Sequence, residues 1–208
     1  MAGLLPYVEY LRLRDQFDRL GHFGIAVRGR AQSALLFSLK PMRDLDGAAI
    51  AVTEETSTTI CLLRLLLEQR YHVTPASYTR GVSHDADALL LIGDEALQWK
   101  QSNTRYPYEV DLAFEWWLWQ HLPFVFAVWA VRKDTSAQDK KQIESALARS
   151  LATNLGQLNT IGQTQGSALG LSAAEVEAYL SNFVYRLGQA EEEGIRRFTE
   201  LVDEHHLL

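Results

Sequence analysis

The sequence predicts an α/β fold with a helical carboxyl-terminal third. Three observations carry this prediction. Short aliphatic or β-branched runs bounded by Gly, Pro and Asp recur up to Val131, at residues 24–27, 33–38, 50–52, 86–92 and 123–131. Stretches with apolar residues at helical spacing lie between them. Past Arg132 the helical spacing takes over almost completely. Strands alternating with helices predict a largely parallel sheet, and in such sheets ligands sit at the carboxyl ends of strands.

Ala2-Gly3-Leu4-Leu5 reads as the end of a buried strand that Pro6 breaks, and residues 8–14 as a helical turn carrying Glu9. The runs at 24–27 and 33–38 read as strands joined by the basic turn Arg28-Gly29-Arg30. Pro41 and Asp46-Gly47 mark turns. Residues 50–71, IAVTEETSTTICLLRLLLEQRY, read as strand, polar turn and buried helix: Ile60, Leu63 and Leu67 share a face, Leu62 and Leu66 flank it, and Arg64 and Glu68 stand at i, i+4. A polar loop with Gly81, His84 and Asp85 leads to the apolar run 86–92, then to a helix over 95–100. Tyr106-Pro107-Tyr108 is a turn, 111–121 a tryptophan-rich helix, and 123–131 a strand buried on both faces. The tail divides into helices over 137–155 and 158–164, a loop over 166–170, a helix opened by Ser172 with Glu175 at capping-box spacing, and a last helix over 191–205.

At 208 residues the chain can bury a full core as one large domain or two small lobes. An apolar content of 47% and a charged content of 22% place it among soluble globular proteins. The net charge of −6 argues against nonspecific binding to nucleic acid or to an anionic membrane. No run reaches transmembrane length, and the first residues lack the layout of a signal peptide, so the expected location is the cytoplasm. Fifteen of the 20 cations are Arg, the residue suited to bidentate carboxylate recognition. The single cysteine, Cys61, excludes an internal disulfide and reads as a core residue.

G-x-G-x-x-G, the Walker loop, G-x-S-x-G and H-E-x-x-H are all absent, and the histidines at 22, 72, 84, 121, 205 and 206 lack metal-ligand spacing. Neither a cofactor nor a metal is expected. The chemistry that does stand out is the turn Thr53-Glu54-Glu55-Thr56-Ser57-Thr58-Thr59, set where a helix begins. A helix start carries unpaired N–H groups and the positive end of the dipole, and so favours an anion. A single N-capping hydroxyl explains one of these residues but not four in succession. Asp94-Glu95 at the start of the next helix reads either as dipole stabilisation or as a carboxylate base.

The stretches DADALLLIGDEAL (85–97) and DLAFEWWLWQHLPFVFAVWAVR (111–132), with SALLFS, Leu45-Asp46-Gly47 and TEETSTT in the same order and spacing, resemble the chorismate dehydratase family of the futalosine route to menaquinone. The resemblance covers nearly the whole chain and implies a two-lobed type II periplasmic-binding-protein-like fold. The first lobe would comprise residues 1–38 and 130–208 and the second 39–129, with crossovers near 35–38 and 126–129. Family members carry further amino-terminal residues, including a strand ending in a Tyr/Phe-x-Asn motif, and nothing here aligns with it. The first lobe is therefore expected to be incomplete, with three outcomes open: a partner that completes it, a homo-oligomer included; a start codon placed too late; or an exposed sheet edge.

The resemblance implies removal of water from chorismate to give 3-[(1-carboxyvinyl)oxy]benzoate without a metal or redox cofactor. By position, Ser33 is the hydroxyl beside the leaving group, Thr56, Ser57 and Thr58 clamp a carboxylate, Gly93 and Asp94 line the second lobe's side, and Pro123 and Phe124 wall the ring. Arg28 and Arg30, in a turn that is acidic in the family and basic here, read either as carboxylate partners or as exposed cations. The competing readings are a non-catalytic two-lobed binder of an aromatic or dicarboxylate ligand and an inactive fragment of the enzyme.

Overall fold

The computed structural model describes residues 1–54, 56–81, 83 and 85–208. Glu55 of the hydroxyl-rich turn, and Val82 and His84 of the polar loop, lie outside the described residues. Among the described residues the chain forms two sheets. The elements are β1 (Ala2–Pro6), α1 (Tyr7–Leu13), β2 (Phe17–Val27), β3 (Ala34–Ser38), β4 (Ala49–Val52), α2 (Thr58–Leu65), β5 (Ser77–Arg80), β6 (Ala88–Ile92), α3 (Gly93–Ser102), β7 (Tyr108–Asp111), α4 (Leu112–Gln120), β8 (Phe124–Arg132), α5 (Ala137–Leu155), α6 (Leu158–Leu169), α7 (Ala173–Ser181), β9 (Phe183–Arg186) and α8 (Gln189–Glu204). Beyond α2 the helix widens into a π-type turn over Leu66–Arg70.

The first sheet has the order β1-β8-β2-β9 and is antiparallel throughout. The second has the order β5-β4-β6-β3-β7, and only β4 runs parallel to its two neighbours. The expected largely parallel sheet is thus corrected. β3 brings the chain into the second sheet and β7 takes it out again beside β3, so the two strands must run in opposite directions. The crossovers shift for the same reason. All of β3 pairs within the second sheet and all of β8 within the first, so the chain changes sheets over residues 28–33 and 112–123.

Local chemistry explains where the elements begin and end. Asp111 caps α4 by accepting from the Phe114 N–H, Ser136 caps α5, and Ser172 and Glu175 form the reciprocal capping box of α7. The expected loop at 166–170 is helix as far as Leu169. Gly162 and Gly166 let α6 lie directly against the backbone at Leu171 and Ala173, which stabilises the helix through a stretch that composition alone reads as loop. Strand β1 is half exposed rather than buried, and β2 extends seven residues earlier than the run 24–27, with register shifts after Arg19 and Ile25.

One apolar core joins the two sheets through α1, α2, α4 and α8. Its aromatic centre is Trp116, Phe124 and Phe198, packed edge to face at 5.1–5.9 Å. A smaller cluster, including Leu35, Phe37, Leu89, Leu91 and Tyr106, covers the other face of the second sheet. Cys61 is a free, buried thiol within the main core. Ion pairs fasten α8 to the first sheet: Arg19 meets Glu192 through two hydrogen bonds of 2.7 and 2.6 Å, and Arg28 meets the fully buried Glu191 at 2.8 Å.

The contact between α8 and β8 depends on Gly194, where an added Cβ would lie 2.2 Å from the Pro123 carbonyl oxygen. Alanine there gains about 1 kcal/mol of helix propensity but overpacks a backbone that cannot yield, at a cost of about 3 kcal/mol. Gly194→Ala is expected to lower the thermal midpoint by roughly 4–8 °C, and an unchanged midpoint would show that α8 is free to move off β8.

Burial also makes stability fall in alkali. It pushes the phenols of Tyr7, Tyr78, Tyr179 and Tyr185 up, and burial together with the Glu115 carboxylate takes Tyr71 to about 12. Each phenol is protonated in both states at neutral pH. Above about 10 the unfolded chain loses its protons first, so stability is lost as pH rises through the folded values. Urea midpoints are expected to hold level to about pH 9.5 and to drop progressively above it, whereas a level profile to pH 11 contradicts this burial.

Candidate functional site

A cavity of about 390 Å³ opens between the sheets, where β4 and β6 end and β3 begins. Leu4, Pro6, Ile25 and Phe126 wall it from the first sheet's side, and Ile92 and Gly93 from the second. Thr56, Ser57, Thr58 and Thr59 form one end of it, and Ser33 stands with Tyr179 at its lining. The size suits a small organic ligand.

The hydroxyl-rich turn is held firmly from outside the cavity. Thr53 donates its hydroxyl and its N–H to the Leu90 carbonyl, each at 3.0 Å, and Arg80 donates to the Glu54 carbonyl. Thr58 accepts from the Val8 N–H at 3.1 Å, tying the start of α2 to α1. Thr56 and Ser57 are different. Both residues line the cavity, and their hydroxyl oxygens are buried with no hydrogen-bond partner among the described residues. Ser57 occupies the N-cap position of α2, yet its side chain makes no capping bond, so ordinary capping does not account for it. A buried hydroxyl without a partner is costly, which makes these two oxygens a standing demand for a ligand atom.

Helices α2 and α3 both start at the cavity, and their electrostatics differ. Asp94 and Glu95 occupy the first turn of α3 and already answer its dipole, while the first turn of α2 carries no acidic residue. The start of α2, with no acidic residue in its first turn, stands beside the two unpartnered hydroxyls. Among the described residues that line the cavity, none is charged.

Ser33 is 8% exposed and positioned from three directions. Its carbonyl accepts from the Gly93 N–H at 2.8 Å. The preceding residue, Gln32, has the left-handed φ of +67° and donates its N–H at 2.7 Å to the buried Asp111 carboxylate, the same group that caps α4. The Ser33 hydroxyl itself lies 2.7 Å from that of Tyr179. Burial raises the Tyr179 phenol, the hydrogen bond to Ser33 draws it back, and the Asp94 charge adds to the rise.

Of the residues expected from the sequence, Ser33, Thr56, Ser57, Thr58 and Gly93 line this one cavity. Asp94 is exposed on the first turn of α3. Pro123 is buried, its carbonyl accepting from the Trp116 indole N–H at 3.3 Å, and Phe124 sits in the aromatic core behind Phe126, ring centres 4.8 Å apart. Phe126 is the ring that reaches the cavity. Arg28 points to Glu191, and the Arg30 guanidinium lies 4.0 Å over the Phe114 ring. Tyr179 of α7 and Phe183 and Tyr185 of β9 also line the cavity and are not among the residues expected from the sequence. Among the described residues no group of three or more His, Cys, Asp or Glu comes together, and no helix is long and apolar enough to cross a membrane.

Residues 2–204 match the model of a family described as menaquinone biosynthesis. A chorismate dehydratase of Thermus thermophilus is 32% identical over 95% of this chain and 78% of its own length. Among solved structures, protein AF1704 of Archaeoglobus fulgidus superposes with a TM-score of 0.81 at 20% identity, covering all of this chain and 80% of that one. A Candida albicans gene product with the generic periplasmic-binding-protein fold gives 0.54 at 10% identity, covering all of this chain and 72% of that one. The structural neighbours establish the fold: a mixed α/β, periplasmic-binding-protein-like architecture with a helical carboxyl-terminal region.

Proposed function

Because the chain belongs to the menaquinone biosynthesis family, we propose that it is a hydro-lyase that removes water from chorismate, giving 3-[(1-carboxyvinyl)oxy]benzoate in the cytoplasm. The observation that carries this reading to a site is the pair of hydroxyls, Thr56 and Ser57, without partners among the described residues, at the start of α2, whose first turn carries no acidic residue. They supply two donors and a positive dipole end to one carboxylate of the substrate, with no cation required. Phe126 and Ile92 give the ring apolar walls, and Ser33, on the same lining, is the proposed donor to the departing oxygen.

The elimination breaks the ring C–H bond next to the enolpyruvyl ether and the neighbouring C–O bond, and the ring becomes aromatic. The site must therefore orient the substrate, offer the leaving oxygen a proton and keep the ring dry. The substrate's own enolpyruvyl carboxylate takes the ring proton, so this chain needs no carboxylate in the cavity. That agrees with a lining that is uncharged among the described residues.

Turnover tests the proposal. Chorismate given to the purified protein is expected to disappear as an aromatic product appears in equal amount. A protein that binds chorismate tightly and returns it unchanged would instead be a binder.

A further inference from the structure

We infer that Tyr179 is the proton source behind Ser33, the two hydroxyls forming a relay that delivers a proton to the leaving oxygen; this rests on the dehydration proposed above. Hydroxide is a poor leaving group, so the C–O bond breaks readily only if the oxygen departs as water. Serine is no stronger an acid than water and cannot supply that proton alone. A phenol with an ordinary pKa near 10 is far more acidic than water at 15.7.

The geometry places the two groups for this task. The Tyr179 hydroxyl is 2.7 Å from the Ser33 Oγ, a distance for direct transfer, and both residues line the cavity. Ser33 is fixed by Gly93 and, through Gln32, by Asp111 on the second sheet's side. Tyr179 is fixed on the other side of the cleft. Its ring packs edge to face on Phe183 at 5.1 Å, and the end of α7 is held by two bonds, from the Tyr185 hydroxyl to the Leu180 carbonyl at 3.0 Å and from the Asn182 amide to the Arg30 carbonyl at 2.6 Å. Burial keeps the phenol protonated at neutral pH, so the proton is present when substrate arrives.

The step balances. The electron pair of the ring C–H bond becomes the new ring π bond, and the pair of the C–O bond leaves with oxygen. That oxygen takes the Ser33 proton as Ser33 takes the Tyr179 proton. The ring proton leaves on the product's carboxyl group and is given up to solvent, the Tyr179 phenolate takes a proton back from solvent, and one water is released per substrate. Tyr179 acts through Ser33, and so is a positioning and relay residue.

A double-mutant cycle on kcat, with product affinity measured in parallel, tests this. Tyr179→Phe is expected to lower kcat about 10²-fold, toward the low end for a positioned proton donor, with product Kd changed less than twofold. Ser33→Ala combined with Tyr179→Phe is expected to be no slower than Ser33→Ala alone, because members of one relay fail together. A Tyr179→Phe variant with kcat within twofold of wild type overturns the relay. So do effects that multiply in the double variant, or product affinity that falls in step with kcat, which would make Tyr179 a latch between the lobes. A wild-type protein that forms no product overturns the dehydration reading, and the relay with it.

Discussion

Replacing Thr56 by Val and Ser57 by Ala is expected to give a protein that is more stable than wild type and nearly unable to hold its substrate. The two hydroxyls are buried without partners among the described residues, and Thr58, next in sequence, is already bonded to α1. In the ligand-free protein each unpaired hydroxyl is a cost of about 1–3 kcal/mol, which the apolar replacements remove. A gain of even about 1 kcal/mol raises the thermal midpoint by roughly 2–4 °C. In the proposed complex each hydroxyl donates to a carboxylate, a bond worth about 1.5–3 kcal/mol, so losing both weakens binding by at least roughly 10²-fold. Calorimetry of unfolding and titration with product read the two effects separately. The opposite pattern, a midpoint several degrees lower with affinity intact, would make Ser57 and Thr56 ordinary helix caps.

Ser33→Ala is expected to reduce turnover of chorismate by about 10³-fold while changing product affinity less than threefold. In the proposed mechanism the hydroxyl meets the leaving oxygen only as the C–O bond breaks, so its removal is felt in kcat and hardly in the ground state. Stability should change by only about 1 kcal/mol, since the side chain's bond to Tyr179 is the one lost. Steady-state kinetics together with product titration check this split. A variant that turns over at the wild-type rate would remove Ser33 from the chemistry. A parallel collapse of affinity and rate would make it a binding group.

Several residues that line the cavity are legible in the sequence because its pieces are local. Thr56 to Thr59 stand out as hydroxyls abutting an apolar helix, and Ser33 precedes a short aliphatic strand. The capping box at Ser172 and the bounds of α5 follow from local spacing and appear as read. What could not be read depends on contacts distant in sequence. Tyr179 meets Ser33 across 146 residues, and its own stretch reads only as a helix with an apolar face. The available signal was the spacing of Tyr179, Phe183 and Tyr185, whose last two members alternate along β9, a strand the helical reading of the tail passed over. Similarly, β2 begins with Phe17, Asp18 and Arg19, which look like a loop until Glu192, 173 residues away, pairs with Arg19.

The assignment of Phe124 shows the limit of position alone. The sequence offers an unbroken apolar run from 123 to 131 and does not say which ring faces the ligand. Phe124 fills the space between Trp116 and Phe198, while Phe126, packed edge-on against it, takes the cavity side. The arginines followed the same logic. Fifteen guanidinium groups made carboxylate pairing reasonable, but Arg28 is matched by a carboxylate of the protein itself, Glu191. In the proposed function, anion recognition falls to neutral donors at a helix start, which need no counter-charge.

Dehydration at this cavity is tested most directly with chorismate carrying oxygen-18 in its ring hydroxyl. The label is expected to leave entirely as water, and the aromatic product to keep its enolpyruvyl group. Label retained in an aromatic product with release of pyruvate, or labelled chorismate recovered unchanged from a binding-competent protein, would contradict it.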